Sequence, residues 1–121
     1  IDASDVVAFG ADQNAGRNGV FVPFFGRPAS THRGPALFAI RSGAPLFLGV
    51  APRGPDGRYH CRAHEIEVDR SGPLEDAVVR LTAAFTRRLE EEIRLAPEQY
   101  FWLHRRWKTR PGTQPGEGLP A

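Results

Sequence analysis

Leu74, Ala77, Val78, Leu81, Phe85, Leu89 and Ile93 recur at spacings of three and four. Such spacing lays a single apolar stripe along about five turns of helix. A helix of this kind gains little from its own backbone and must bury the stripe against other elements. Gly72 and Pro73 mark its start, Glu75 and Asp76 fall in the first turn where the dipole favours acids, and Pro97 interrupts it. Whatever else the chain forms has to assemble on this helix.

The remainder reads as short strands and turns. Val6 to Ala11 is an apolar run bounded by Asp5 and by Asp12-Gln13-Asn14, and it predicts a buried strand ending at a polar loop. Ala15 to Asn18 reads as a turn. Gly19 to Gly26 is apolar and aromatic, but Pro23 cannot donate to a central ladder, so the segment is an edge strand or an extended lining loop. Thr31 is placed to cap a short helix from Pro35 to Arg41 that Gly43 stops. Pro45 to Ala51 predicts another buried strand, Pro55-Asp56-Gly57 a turn, and Arg58 to Val68 a strand with one wet face. This alternation points to an α/β fold, with a mixed sheet and flanking helices.

Hydrophobic content of 40% and charged content of 25% suit a folded globular chain rather than one disordered throughout. The 121 residues make at most one domain, and the Gly- and Pro-rich stretch 112–121 reads as a disordered tail. The single Cys61 forbids an internal disulfide and lies in no metal-site spacing, so no metal or cofactor is expected. No apolar run approaches the length of a bilayer span, and no signal peptide is recognisable. The sequence lacks Met, even at position 1, and is read as a piece of a longer protein.

The net charge is only +2, but cations gather late in the chain. Between Pro97 and Pro111, Tyr100, Phe101, Trp102 and Trp107 interleave with His104, Arg105, Arg106, Lys108 and Arg110, and no acid follows Glu98. Arg grips phosphate oxygens bidentately, and Trp and Tyr rings settle at an apolar–water boundary. The run suits a surface that meets phosphate and an apolar chain together; an ordinary helix end with solvated charges is the competing reading. Nucleic acid is not expected, because the near-neutral remainder offers neither a broad basic face nor stacking aromatics on a sheet.

Three stretches in order resemble the C-terminal half of the bacterial lipid A biosynthesis acyltransferases, the lauroyl/myristoyl transferase family. They are Asp12-Gln13 with Gly19 to Gly26; Ala29-Ser30-Thr31, Gly34-Pro35-Ala36 and Ala39 to Pro45; and Pro97 to Pro111. The resemblance implies that residues 1–111 are the C-terminal part of a glycerolipid-acyltransferase-like α/β domain. It implies an enzyme on the cytoplasmic face of the inner membrane, moving a fatty acyl group from acyl carrier protein or a coenzyme A thioester to a hydroxyl of a lipid A precursor. The family's base is the His of a His-x4-Asp/Glu motif, expected upstream of Ile1.

Two pairs fit that motif by spacing alone, His60 with Glu65 and His64 with Asp69. Both fall in the predicted strand, where a separation of five puts partners on opposite faces, so neither is taken as catalytic. Asp12 matches an acidic family position and ends the predicted strand, where α/β enzymes place functional groups. It is the candidate supporting residue of catalysis, ordering the site through a cationic partner; an Asx turn is its plain alternative. Candidate substrate-binding residues are Arg17 and Arg53 for phosphate, Phe24 for an acyl-chain groove or simple core packing, and His104, Arg105, Arg106, Lys108 and Arg110 for anionic head groups. Thr31 and Gly34 match family positions too, with helix initiation as their simplest task. Two other readings stand beside this one: acylation of another glycolipid, such as a phosphatidylinositol mannoside, and a non-catalytic module binding anionic lipid.

Overall fold

A computed structural model describes residues 5–112. The predicted helix is present as α2, Leu74–Leu95, preceded by α1, Gly34–Ser42. Four strands complete the fold: β1, Val20–Phe24; β2, Arg27–Thr31; β3, Leu46–Val50; and β4, Arg62–Ile66. α2 buries Ala77, Val78, Leu81, Phe85 and Ile93 along the expected stripe. It ends where Ala96 donates its N–H to the Ile93 carbonyl, and Pro97 opens a 3-10 turn, Pro97–Gln99.

One helix serves two cores. Its first half packs Val78, Leu81 and Phe85 against Ala36 and Ala39 of α1 and Ile66 of β4, with Leu46 and Leu48 of β3 beside them. Its last turns place Ile93 against Phe24 and Ala29 of the β1–β2 hairpin, where Tyr100 and Trp107 close the cluster. α1 ends as its sequence requires, with Gly43 at φ 75° donating to the Ala39 carbonyl.

The strands form two separate antiparallel pairs rather than one mixed sheet. β1 and β2 pair from Val20↔Thr31 to Phe24↔Arg27 across a two-residue turn, in which Phe25 and Gly26 both have positive φ. That turn matches the twist of the flanking strands and closes the ladder locally. Pro23 sits opposite Pro28, tolerable because a two-stranded ladder has only edges. β3 pairs with β4 from Leu46↔Ile66 to Val50↔Arg62.

Other expectations need correction. Val6 to Ala11 forms no strand: no described strand pairs with its backbone, and Val6 is 93% exposed. Apolar composition does not make a strand without a partner ladder. Thr31 closes β2 instead of capping α1, whose N-cap is Arg33 with no side-chain bond. The wet strand is only Arg62–Ile66, because the chain from 51 to 61 makes a tight excursion joined by the Arg53–Tyr59 bridge. The expected tail beyond Gly112 lies outside the described residues.

Gly19, immediately before β1, has a packing reason for lacking a side chain. A Cβ there would lie 2.3 Å from Ser30 Oγ and 2.9 Å from the Thr31 carbonyl oxygen, whereas one at Gly10 would meet nothing. Gly19→Ala is therefore expected to lose about 1–3 kcal/mol of stability by overpacking, and Gly10→Ala to change it little, as read from urea unfolding of the two variants.

Candidate functional site

The aromatic–basic run folds back onto the hairpin and onto the loop that carries Asp12. Arg106 is 2% exposed. Its Nη1 donates to the Ser30 carbonyl at 2.6 Å and its Nη2 to Thr31 Oγ1 at 2.7 Å, while the guanidinium lies over the Phe24 ring at 5.2 Å. Trp107 stacks on Phe24 at 5.4 Å and donates its indole N–H to the Phe24 carbonyl. Ser30 is held from the other side as well, accepting from the Ala15 N–H and donating from Oγ to the Gly16 carbonyl. The loop is thus tied to β2, and β2 to the run.

Three further bonds fasten the loop. His104 Nε2 accepts the Asn14 N–H at 2.9 Å, so the neutral ring carries its hydrogen on Nδ1. Asn14 Nδ2 donates to Thr109 Oγ1, and the Tyr100 hydroxyl donates to the Asp12 carbonyl at 3.2 Å. Burial pushes the Tyr100 phenol above its ordinary pKa; Arg106 opposes that and Asp12 adds to it. Burial likewise pulls the Arg106 pKa down, against the opposing pull of Tyr100 and Asp12.

Two adjoining clefts share Phe9, Ala11, Leu48, Gly49 and Phe85 in their walls. The larger, about 940 Å³, is lined by apolar side chains that include Val6, Phe38 and Leu46. The smaller, about 460 Å³, brings Asp12, Arg62, Glu92, Gln99 and Tyr100 to one end. An apolar space adjoining one that also carries polar groups suits a ligand having one fatty and one polar part.

At that polar end, Glu92 holds a cluster with no counterpart in the sequence reading. Its side chain is 7% exposed; Arg62 Nη2 lies 2.6 Å from Oε2 and His64 Nε2 2.6 Å from Oε1. Arg88 Nη2 sits 2.9 Å from His64 Nδ1, which accepts and so leaves the ring hydrogen on the Glu92 side. The hydrogen bond from Arg62, helped by that cation's charge and the His64 ring, holds the Glu92 carboxyl below its ordinary 4.5 against the opposing effect of burial. The visible signal was Glu92 lying three residues after Leu89 and one before Ile93, beside the buried stripe.

The structure brings some of the candidates together and separates others. Asp12 is exposed in the lining of the smaller cleft and accepts from the Tyr100 hydroxyl at its main-chain carbonyl, and His104 holds the same loop at the Asn14 N–H. Phe24 and Arg106 are buried and offer no open surface, a departure from the groove and head-group roles. Arg53 is exposed and locked to Gln99, donating its N–H to Oε1 at 2.7 Å and accepting from Nε2 at 2.8 Å. Arg17, Arg105, Lys108 and Arg110 are exposed. His64 pairs with Glu92 and not with Asp69, and His60 lies 3.2 Å from Asp56 rather than near Glu65.

Two outcomes follow from these contacts. Arg106→Lys keeps the charge but cannot reach Ser30 and Thr31 in one plane, so it should cost about 1.5–3 kcal/mol. Exposed Arg105→Lys should stay within about 0.5 kcal/mol, both read by urea unfolding. Glu92, with its folded-state pKa depressed, stabilises the fold fully above the unfolded carboxylate's pKa, and that contribution is lost as pH falls through the lower folded value. Stability measured from pH 7 downward should therefore fall below about pH 4.5, and Glu92→Gln should be less stable at pH 7 with a shallower acid loss.

Sequence matches to known proteins run along nearly the whole chain. Residues 2–109 match the family model of the bacterial lipid A biosynthesis acyltransferases. The chain is 42% identical over 120 residues to the lipid A biosynthesis lauroyltransferase of Escherichia coli (strain K12), covering 97% of this chain and 37% of that protein. It is 36% identical to the palmitoleoyltransferase of the same organism, over 88% of this chain and 35% of the relative. It is 30% identical to a lipid A biosynthesis acyltransferase of Haemophilus influenzae (strain ATCC 51907 / DSM 11121 / KW20 / Rd), over 88% and 35%. The chain thus spans little more than a third of the length of these relatives. With a match across residues 2–109, it belongs to the bacterial lipid A biosynthesis acyltransferase family.

Proposed function

We propose that this chain is the C-terminal portion of an enzyme that transfers a fatty acyl group from an acyl carrier protein or acyl-CoA thioester to a hydroxyl of a lipid A precursor. The observation that carries the reading, beside family membership, is the apolar cleft that shares its wall with a second one lined in part by Asp12, Arg62 and Glu92. In this reading the fatty chain lies along Phe9, Phe38 and Leu48, and the thioester carbonyl reaches the polar end. The acceptor hydroxyl attacks that carbonyl, its proton passes to a general base, and the donor leaves as the thiol.

The base is proposed to be the His of a His-x4-Asp/Glu motif outside these residues, because each described histidine is engaged or remote. His64 is bound by Glu92, His104 accepts from Asn14, His60 pairs with Asp56, and His32 is exposed next to α1. Asp12 is the supporting residue: exposed at the cleft and carried by a loop fastened at Asn14 and Ala15. Exposed Arg17, Arg53, Arg105, Lys108 and Arg110 supply positive charge for a phosphorylated glycolipid. The proposed location is the cytoplasmic face of the inner membrane; among the described residues no helix is long and apolar enough to cross a bilayer.

The test is Asp12→Asn in the full-length enzyme, assayed with both thioester donors and a lipid A precursor. Turnover should fall by about 100-fold with the melting temperature unchanged, and normal turnover with either donor would remove Asp12 from the mechanism.

A further inference from the structure

An apolar edge stands out from the surface next to the strap formed by Arg106 and Trp107. Leu95 is 73% exposed, Phe101 62%, Trp102 46% and Leu103 85%, at the end of α2 and in the turns after it. The edge is continuous with the hairpin tip: the Phe25 ring lies 5.5 Å from Trp102, and Arg94 sits over Phe25 at 4.7 Å. Four neighbouring large apolar side chains left in water are more than the scattered exposure expected of a folded surface.

Cations outnumber acids around this edge. Arg94, Arg105 and Lys108 are exposed beside it, and Arg27, over the Trp107 ring at 5.3 Å, flanks the hairpin tip. Of the acids beside it, Glu90 is bound by Arg94 at 3.2 Å and by the Phe25 N–H, and Glu91 is bound by Arg88 at 2.9 Å, while Glu98 is exposed. The Trp102 indole N–H donates to the Pro97 carbonyl at 2.6 Å, so the ring can leave water without stranding its donor. A face with internally satisfied polar groups, protruding aliphatic and aromatic tips and a cationic rim fits a lipid interface better than it fits a protein groove.

We propose that Leu95, Phe101, Trp102 and Leu103 insert into the headgroup–acyl boundary of an anionic bilayer, with Arg94, Arg105 and Lys108 lying on its phosphates. The proposal deepens the membrane assignment made above and rests on it. It adds which surface meets the lipid: the turn after α2, with the helix C-terminus and the hairpin tip directed at the membrane. The aromatic tips act as depth anchors and the cations as the attraction that brings the surface down.

The experiment is flotation of the full chain with vesicles of phosphatidylcholine, with and without phosphatidylglycerol, followed by tryptophan quenching with brominated acyl chains. Binding should require the anionic lipid, weaken with salt, and quench tryptophan fluorescence. Leu95→Asp with Leu103→Asp should weaken binding at least about tenfold, and Arg105→Ala about fivefold at low salt. Both substitutions fall on exposed side chains, so unchanged unfolding curves exclude a folding defect.

Binding unaffected by the double substitution, or without quenching, would overturn the proposal. Quenching abolished by a soluble acidic carrier protein at matched ionic strength would reassign the face to a protein partner, and would overturn it too. The assay contains no thioester and reads no acyl transfer. Loss of transfer in Asp12→Asn, or its absence altogether, therefore leaves this result to stand or fall separately.

Discussion

The Arg106 guanidinium holds the molecule's functional end in place. Removing a charge from water costs several kcal/mol even after relaxation, so its near-complete burial demands good partners. It finds the Ser30 carbonyl, Thr31 Oγ1 and the face of Phe24. Each partner belongs to the hairpin, and Ser30 passes the restraint on to Ala15 and Gly16. A residue in the last part of the chain thereby fixes the loop that presents Asp12. Around it, Asn14 with His104 and Thr109, Tyr100 with the Asp12 carbonyl, and Trp107 with the Phe24 carbonyl add directional bonds that the apolar contacts alone would not supply.

The polar end of the cleft is built in the same manner, from charges held by one another. Glu92 gathers Arg62 from β4 and His64 from the same strand, while Arg88 comes from one turn earlier in α2. Residues 62 and 64 are two apart and so share a strand face, which lets one helix carboxylate bind both. The arrangement pins the β3–β4 pair to the helix at the cleft wall. Arg53 and Gln99 fasten the neighbouring excursion to the turn after α2. The smaller cleft is therefore braced by polar contacts at Glu92 and at Gln99.

What the sequence made legible follows from how local each signal is. The α2 stripe repeats over many turns, and its burial follows it; Gly43 ended α1 because only a left-handed residue fits there. Val6 to Ala11 had the right composition for a strand but depends on a partner ladder that composition cannot report. Thr31 shows the same limit, since a hydroxyl that resembles a cap was needed by a guanidinium 75 residues away. In the terminal run, sequence alone could not separate Arg105 from Arg106: adjacent residues of one type, the first solvated and the second buried. The bond that the Asp12 carbonyl accepts from Tyr100, 88 residues along the chain, likewise arises only in the folded structure.

The sharing of α2 between two cores has a consequence for how this molecule opens. Neither core closes without α2: Val78 and Leu81 complete one, Ile93 the other, on a single rod. Fraying that starts at the aromatic end has to unwind turns whose other residues still line the far core. The helix thus transmits disruption in both directions, and its central amides exchange hydrogen with solvent only when both cores come apart.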